Sequence, residues 1–277
     1  MTRKKLNPEI KWGLSILSLY MIWAFCGLIY NSFYKGTISR PYSPYADMKN
    51  ELIAPFTQNY LLGTDIYGRS IMELLSTGLI YSLSVGVLVT VICCLIGVIL
   101  GFISVAGHPW LRKISESVTN LIFVFPTILL AIVLLSFTGE SLGALVLILS
   151  LTGWPSYAKI SRGETQRIMG LSYVESAKAV GASKWRMFFK IVIPGIFPVL
   201  SIHLILGISG VIISEATLGF LGLGGSAYSW GALLSLSKTV LLEAPYIVII
   251  FSLVLAGLII GLNLLGDGLR DYLDPKS

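Results

Sequence analysis

Six long stretches of this chain contain no charged residue at all. They are Trp12–Tyr34, Leu74–Leu111, Ser117–Gly139, Ser141–Ala158, Ile191–Ser214 and Ala244–Gly266. About 20 apolar residues carry a helix across the hydrocarbon core of a membrane, and about 18 or more without charge indicate a candidate span. A helix also satisfies its own backbone hydrogen bonds within lipid. The sequence therefore predicts an all-α membrane protein with six transmembrane helices.

Charge and composition agree with this prediction and orient it. Only 12% of residues are charged and the mean hydropathy is +0.83, whereas soluble domains carry about 25% charged residues. With a cytoplasmic N-terminus, 15 of the 20 lysines and arginines lie in predicted cytoplasmic segments. This bias follows the positive-inside rule and predicts that both termini are cytoplasmic. The basic residues form no stripe on a soluble face. The sequence therefore predicts a protein surrounded by membrane lipid and does not predict a nucleic-acid partner.

The predicted organisation is one membrane domain with three polar excursions. Its segments are a cytoplasmic start (1–11), a first transmembrane helix (12–34), an extracytoplasmic segment (35–73), a core of five further spans (74–266) with a cytoplasmic loop at 160–194, and a cytoplasmic end (267–277). Within the second span, Gly97 and Gly101 form a GxxxG pattern, which predicts close approach of another helix.

The cytoplasmic loop contains a polar hairpin (residues 172–194 throughout). Ser172 and Glu175 have capping-box spacing, which predicts a helix that begins with Ser172 as its cap. Ala177 keeps this helix slim, and Gly181 supplies the left-handed residue that ends it. Ser183 is predicted to cap a second helix over Lys184–Ile193, which Pro194 then stops.

The same residues resemble the EAA loop of binding-protein-dependent ABC importer permeases. In this chain the residues that match the EAA pattern are Glu175-Ser176-Ala177, then Gly181, then Pro194. Further motifs match the dipeptide, oligopeptide and nickel permeases, within them the C-type membrane subunit: LLGTDIYGRS at Leu61–Ser70, GWPSYAKISRG at Gly153–Gly163, EATLGFLGLG at Glu215–Gly224, SWGALL at Ser229–Leu234 and NLLGDGLRDYLDP at Asn263–Pro275. The chain departs from the pattern at Ser70, at Gly195 and in the shortened outer loop Gly225–Tyr228.

This resemblance implies the fold, the partners and the mechanism. It implies a type I (MetI-like) permease fold and coupling to an ATPase through Ser172, Glu175, Ala177, Gly181, Ser183 and Pro194. Expected partners are a B-type permease subunit, two ABC ATPase subunits that bind ATP and Mg²⁺, and an extracytoplasmic substrate-binding protein. This chain itself would bind no cofactor. The implied location is the bacterial plasma membrane, and peptides, nickel or a metal–chelator complex remain open as cargo.

Glu215 is the acid that lies in the body of a predicted span, and an ionisable residue there is a functional candidate. Either it lines a translocation path or it braces the fifth span by hydrogen bonding, with bracing slightly favoured. Trp230, in the glycine-rich outer loop, is a second candidate for the path or a gate.

A structural turn is predicted just before the second span. Gly63 and Thr64 make this turn, and Asp65 is predicted to cap the following helix in preference to forming an exposed ion pair with Arg69.

Sites for metals and for enzymatic chemistry are not predicted. Cys26, Cys93 and Cys94 lie inside apolar spans, while His108 and His203 are isolated, so no convergent metal-ligand set is expected. The chain has no Gly-Lys dipeptide and therefore no P-loop. The alternative function is a secondary transporter driven by an ion gradient, although such folds tend to carry repeats and several buried charges.

Overall fold

The computed structural model describes residues 7–33, 48–58 and 60–273, and these ranges contain helices and turns without a β-strand ladder. The helices are α1 (Pro8–Phe33), α2 (Ile71–Ala106), α3 (Pro109–Val124), α4 (Thr127–Thr138), α5 (Leu142–Met169), α6 (Ser172–Ala179), α7 (Lys184–Met187), α8 (Ile193–Phe220), α9 (Trp230–Ser237) and α10 (Pro245–Leu273). A π-helical turn, Phe188–Val192, joins α7 to α8. The predicted all-α class is confirmed.

Length and composition qualify four helical stretches of the described chain as membrane spans. They are Pro8–Tyr30, Ile71–Ala106, Lys184–Phe220 and Pro245–Leu273. A fifth is obtained if α3 and α4 are counted together, although an 88° bend separates them. The remaining uncharged interval, Ser141–Ala158, forms the first part of α5, whose second part is polar. Six uncharged intervals thus give four or five such spans.

The long helix α2 lies at the centre of the packing. Gly97 and Gly101 face α5 at backbone distance, since a Cβ on Gly97 would lie 2.8 Å from the nitrogen of Ala158. A Cβ on Gly101 would lie 2.7 Å from the hydroxyl of Ser161. The predicted close approach at this GxxxG pattern is confirmed, and its partner is a helix of the same chain.

Three apolar clusters stabilise the bundle along its length. One joins α1, α2, α9 and α10 around Trp230 and Phe251. A second joins α2, α4 and α5 around Val89 and Leu145. The third, around Ile168, Val174 and Val192, lies under the polar hairpin. The hairpin is therefore fixed to the bundle by a core of its own.

Candidate functional site

The first helix of the polar hairpin ends in a Schellman motif centred on Gly181. Gly181 has a φ of +87°. Its N–H donates to Lys178 O at 2.9 Å, and the N–H of Ala182 donates to Ala177 O at 3.0 Å. A Cβ at Gly181 would meet no atom within 4 Å. The backbone conformation, rather than lack of space, therefore requires glycine here, as the sequence predicted.

The start of this helix differs from the prediction. Ser172 is the first helical residue, Leu171 precedes it as the cap, and no side chain makes a capping hydrogen bond. The Ser172 carbonyl instead accepts a hydrogen bond from the hydroxyl of Ser176 at 3.1 Å. The predicted capping box of Ser172 and Glu175 was therefore wrong, because the helix begins one residue earlier than the spacing suggested. The Glu175 side chain is exposed.

The second half of the hairpin begins as predicted but does not end as predicted. The hydroxyl of Ser183 caps α7 by accepting from Arg186 N at 3.2 Å. The helix then continues through the π-helical turn into α8, with Pro194 in the first turn of α8. Pro194 was therefore wrongly predicted to stop the helix. The wider π turn, in which Ile193 N donates to Phe188 O, accommodates the missing N–H and the ring of the proline.

The inner face of the hairpin packs against α2, α5 and α8. Val174 of α6 is fully buried, while Ala177 is half-buried. Gly195 allows Ile168, near the end of α5, to pack closely on the start of α8, where a Cβ would lie 2.6 Å from the Ile168 Cδ1. This contact gives the departure at Gly195 a packing role. The hairpin is thus packed against both α5 and α8.

The outer face of the hairpin presents apolar side chains to its surroundings. Val180 is 90% exposed and Trp185 is 70% exposed, and Trp185 stacks on Phe189 with ring centroids 6.0 Å apart. Four basic residues of the hairpin are also exposed: Lys178, Lys184, Arg186 and Lys190. Exposed apolar side chains with a polar rim are typical of protein–protein interaction sites. Sequence reasoning missed Val180 and Trp185, although each adjoins a helix end in the motif.

Just before the start of α2, Asp65 and Arg69 form a turn that is closed by hydrogen bonds between them. The Asp65 Oδ1 accepts from the backbone nitrogens of Tyr67 (3.0 Å) and Arg69 (2.8 Å). Its Oδ2 accepts from two guanidinium nitrogens of Arg69 at 2.8 and 2.6 Å. Ser70 precedes α2 as the N-cap residue. The prediction that Asp65 caps the helix in preference to pairing with Arg69 was therefore wrong, because Asp65 lies too far from the first helical turn.

Gly63 and Thr64 do make the predicted turn before α2. Gly63 has a φ of +80°, and its carbonyl accepts from Ile71 N at 3.1 Å. Thr64 is fully buried, and its hydroxyl donates to Asn50 O at 2.5 Å and accepts from Ile53 N at 2.8 Å. These bonds fasten the preceding segment to the start of the span.

Glu215 and Trp230 are both fully buried within the chain. The Glu215 Oε2 accepts from the hydroxyl of Ser82 at 2.8 Å, which joins α8 to α2. The indole nitrogen of Trp230 donates to Leu75 O at 3.0 Å, which joins α9 to α2. In this conformation neither side chain faces an open path, so the geometry favours the bracing interpretation of Glu215. A role for either residue in the path stays a prediction.

One face of α8 (the uncovered face) carries small and polar residues that other parts of the described chain leave exposed or only half-buried. Gly210 is exposed, and a Cβ there would meet nothing within 4 Å. Ser214 and Thr217 lie one and two turns further on, and their hydroxyls donate to the helix's own carbonyls at 2.9 and 2.8 Å. Sequence reasoning missed this face, because uncovered and covered faces of an apolar helix have similar compositions.

No group of three or more metal-ligating side chains lies together in residues 7–33, 48–58 and 60–273. The three cysteines are free thiols.

Comparison with known proteins identifies a family and several similar proteins. Residues 93–277 match the model of the family described as "Binding-protein-dependent transport system inner membrane component". The glutathione transport system permease protein GsiD of Pectobacterium atrosepticum is 34% identical over 78% of this chain and 72% of its own length. The dipeptide transport system permease protein DppC of Haemophilus influenzae is 33% identical over 85% of this chain and 83% of its own length.

Solved structures with a similar fold are also ABC transporters. Two inward-facing crystal forms of the MetNI methionine ABC transporter match with TM-scores of 0.59 and 0.62, at 18% identity, over 74% of this chain and 98% of that chain. An amino acid ABC transporter crystallised with histidines matches with a TM-score of 0.54 over 72% of this chain and 94% of that chain. At these identities the likeness shows the fold, and it agrees with the predicted MetI-like class.

Proposed function

We propose that this chain, which belongs to the family of binding-protein-dependent transport system inner membrane components, forms half of the translocation pathway of an ATP-driven importer for short peptides. Its relatives are permease subunits of transport systems, so the chain is a multi-pass transport subunit rather than an enzyme. The names of the two relatives described above support peptides as cargo ahead of nickel or a metal–chelator complex.

The polar hairpin is, in this proposal, the point at which an ATPase subunit drives the permease. The observation that carries the proposal is the exposed apolar Val180 beside the left-handed Gly181, on a hairpin whose other face is buried. A partner groove that covers Val180 would remove an unusually exposed apolar side chain from water. Because α6 is fixed to α5 and the hairpin continues into α8, movement of its tip would be transmitted to both helices.

The complete transporter proposed here contains two permease subunits, this chain being the C-type member and a B-type chain its partner. Two ATPase subunits would bind ATP and Mg²⁺, and an extracytoplasmic binding protein would deliver the cargo. The hairpin and both termini would face the cytoplasm, as the distribution of lysine and arginine supports. The uncovered face of α8 with Gly210, Ser214 and Thr217 is the proposed lining of the path.

A substitution at the hairpin tip tests the coupling. In the transporter expressed with its own partner subunits, Val180→Glu should reduce the amount of ATPase that co-purifies by about tenfold or more, because a charge replaces an apolar contact at the centre of the interface. Leu242→Glu is the matched control, since Leu242 is 98% exposed at the opposite end of the bundle. Full ATPase recovery and normal uptake by the Val180→Glu transporter would show that the hairpin tip does not contact the ATPase.

A further inference from the structure

We infer that α3 lies in the membrane–water interface, next to the end of the bundle that carries the polar hairpin, with its apolar face covered by lipid. The apolar face consists of Trp110, Ile114, Val118 and Leu121, which follow one another at spacings of four, four and three residues. Such spacings place all four side chains on one side of a helix. Their exposed fractions within the chain are 66%, 41%, 41% and 63%.

The bend between α3 and α4 shows that the two helices cannot both cross the membrane. Their axes differ by 88°. At about 1.5 Å per residue, α3 is about 24 Å long and α4 about 18 Å, each shorter than the core thickness of about 30 Å. Helix α4 contains no charged residue, whereas α3 contains Arg112, Lys113 and Glu116. Insertion of α4 is therefore favoured over insertion of α3.

The contacts of α3 place it where its neighbours leave the apolar region. Arg112 Nε donates to Ser104 O at 3.1 Å, two residues before the end of α2. Glu116 pairs with Arg162 at 2.9 Å, and Arg162 follows the point at which the uncharged interval of α5 ends. A charged side chain of α3 takes part in each contact, which marks this level as the boundary of the hydrocarbon core.

The two sides of α3 differ as an interfacial helix requires. Ser115 and Thr119 are buried, and the Ser115 hydroxyl donates to Leu100 O of α2 at 3.0 Å. Lys113 and Asn120 are exposed at one edge of the apolar face, about a quarter-turn round the helix from its centre. A helix with aromatic and aliphatic residues on one face and basic or polar residues on another lies along the membrane surface, buried about 5–10 Å deep.

The depth of such a helix also makes the short α4 sufficient. If α3 occupies the first 5–10 Å of the core on its side, about 20–25 Å remains to the far side. The 12 residues of α4 cover about 18 Å. The extended residues Phe125 and Pro126 add about 6–7 Å. The lipid that surrounds α4 would therefore also cover the exposed apolar face of α3.

Spin-label scanning of the reconstituted transporter tests this orientation. Single cysteines are placed along α3 after Cys26, Cys93 and Cys94 are replaced by alanine, and each label's depth is measured from its collisions with oxygen and with a water-soluble nickel chelate. Ile114→Cys and Leu121→Cys should lie within about 3 Å of the same depth, because both are on the apolar face. Lys113→Cys and Asn120→Cys, the controls on the polar side, should contact water.

Two results would overturn the inference. If α3 crosses the membrane, labels at 114 and 121 will differ in depth by about 10 Å, seven residues at about 1.5 Å each, and labels on both sides will follow the same gradient. If another protein subunit covers the face, those labels will collide with neither reagent. Reaction of Lys113→Cys and Asn120→Cys with a charged maleimide provides a second measurement, and retained uptake shows that each variant is folded.

Discussion

At the scale of single residues, Gly181 and Glu215 have roles that the structure separates clearly. Gly181 has open space around it but a left-handed backbone, so the backbone conformation alone limits which residue can stand at this position. Glu215 is the reverse case, since its backbone is ordinary helix but its carboxylate is fully buried against Ser82. Substitutions at these positions therefore test different physical effects.

We expect Gly181→Val to uncouple ATP hydrolysis from uptake while membrane insertion stays normal. A β-branched residue at positive φ costs about 1–3 kcal/mol and would disturb the Schellman motif at the hairpin tip. Gly181→Asn is the matched control, because asparagine tolerates the left-handed conformation. The measurement is the ratio of ATP hydrolysis to peptide uptake in proteoliposomes. Normal coupling in Gly181→Val would count heavily against the proposed mechanism.

We expect Glu215→Gln to retain assembly and uptake, whereas Glu215→Ala should lose both together. Glutamine can still accept the hydrogen bond of Ser82, while alanine leaves a cavity and an unpaired buried hydroxyl, at a cost of about 2–4 kcal/mol. Thermal stability of the purified complex and uptake are measured in parallel. An assembled Glu215→Gln transporter that has lost uptake would instead assign Glu215 to the path.

At the scale of elements, helix contacts depend on where small residues allow backbones to meet and where a helix can bend. Gly97 and Gly101 bring α2 to backbone distance of α5, and the π-helical turn lets one helix pass through Pro194. Pro126 instead accompanies an 88° change of direction. The effect of each proline depends on the hydrogen bonds of the surrounding turn.

We expect Gly97→Ala to destabilise the α2–α5 contact by about 1–3 kcal/mol, because its Cβ would lie 2.8 Å from the backbone nitrogen of Ala158. Gly163→Ala is the control. It adds the same methyl group to a helix, but the Cβ meets nothing within 4 Å, so improved helix propensity should leave stability unchanged or raise it by up to about 1 kcal/mol. Thermal unfolding of the purified complex measures both. Equal stability of the two variants would show that this contact is not tightly packed.

At the scale of the whole molecule, the polar hairpin, α5 and α8 form one connected unit. Tyr157 of α5 donates to His203 O of α8 at 3.1 Å, and Ile168 packs on Gly195. In the proposed mechanism, movement at the hairpin tip would tilt α5 and α8 together, and with them the uncovered face with Gly210 and Ser214. This arrangement is consistent with the proposal that a partner ATPase moves the hairpin.

We expect uptake by the complete transporter to require ATP, to stop with vanadate and to persist when an ionophore removes ion gradients. The expectation follows from the family to which the chain belongs and from the proposed role of the hairpin in coupling. Uptake into proteoliposomes with ATP enclosed on the hairpin side provides the measurement. Uptake that continues without ATP but stops with the ionophore would support the ion-gradient-driven carrier instead.

The sequence by itself determined those features that depend on local physical rules. Uncharged length predicted an all-α membrane protein, and the glycine and serine of the hairpin predicted a left-handed turn and a helix cap at Gly181 and Ser183. These predictions succeeded because solvation along the chain and backbone conformation at one residue do not depend on distant contacts.

The tertiary structure decided the features that depend on distant or competing contacts. Glu215 is fixed by Ser82, 133 residues away, and no local pattern identifies that partner. The Asp65 carboxylate accepts hydrogen bonds from two backbone nitrogens and from the Arg69 guanidinium within its own turn, so it does not form the predicted helix cap. The π turn carried the helix through Pro194, while the bend after Val124 separated α3 from α4. In each case more than one set of hydrogen-bond partners was available, and the local sequence pattern alone does not identify which set forms.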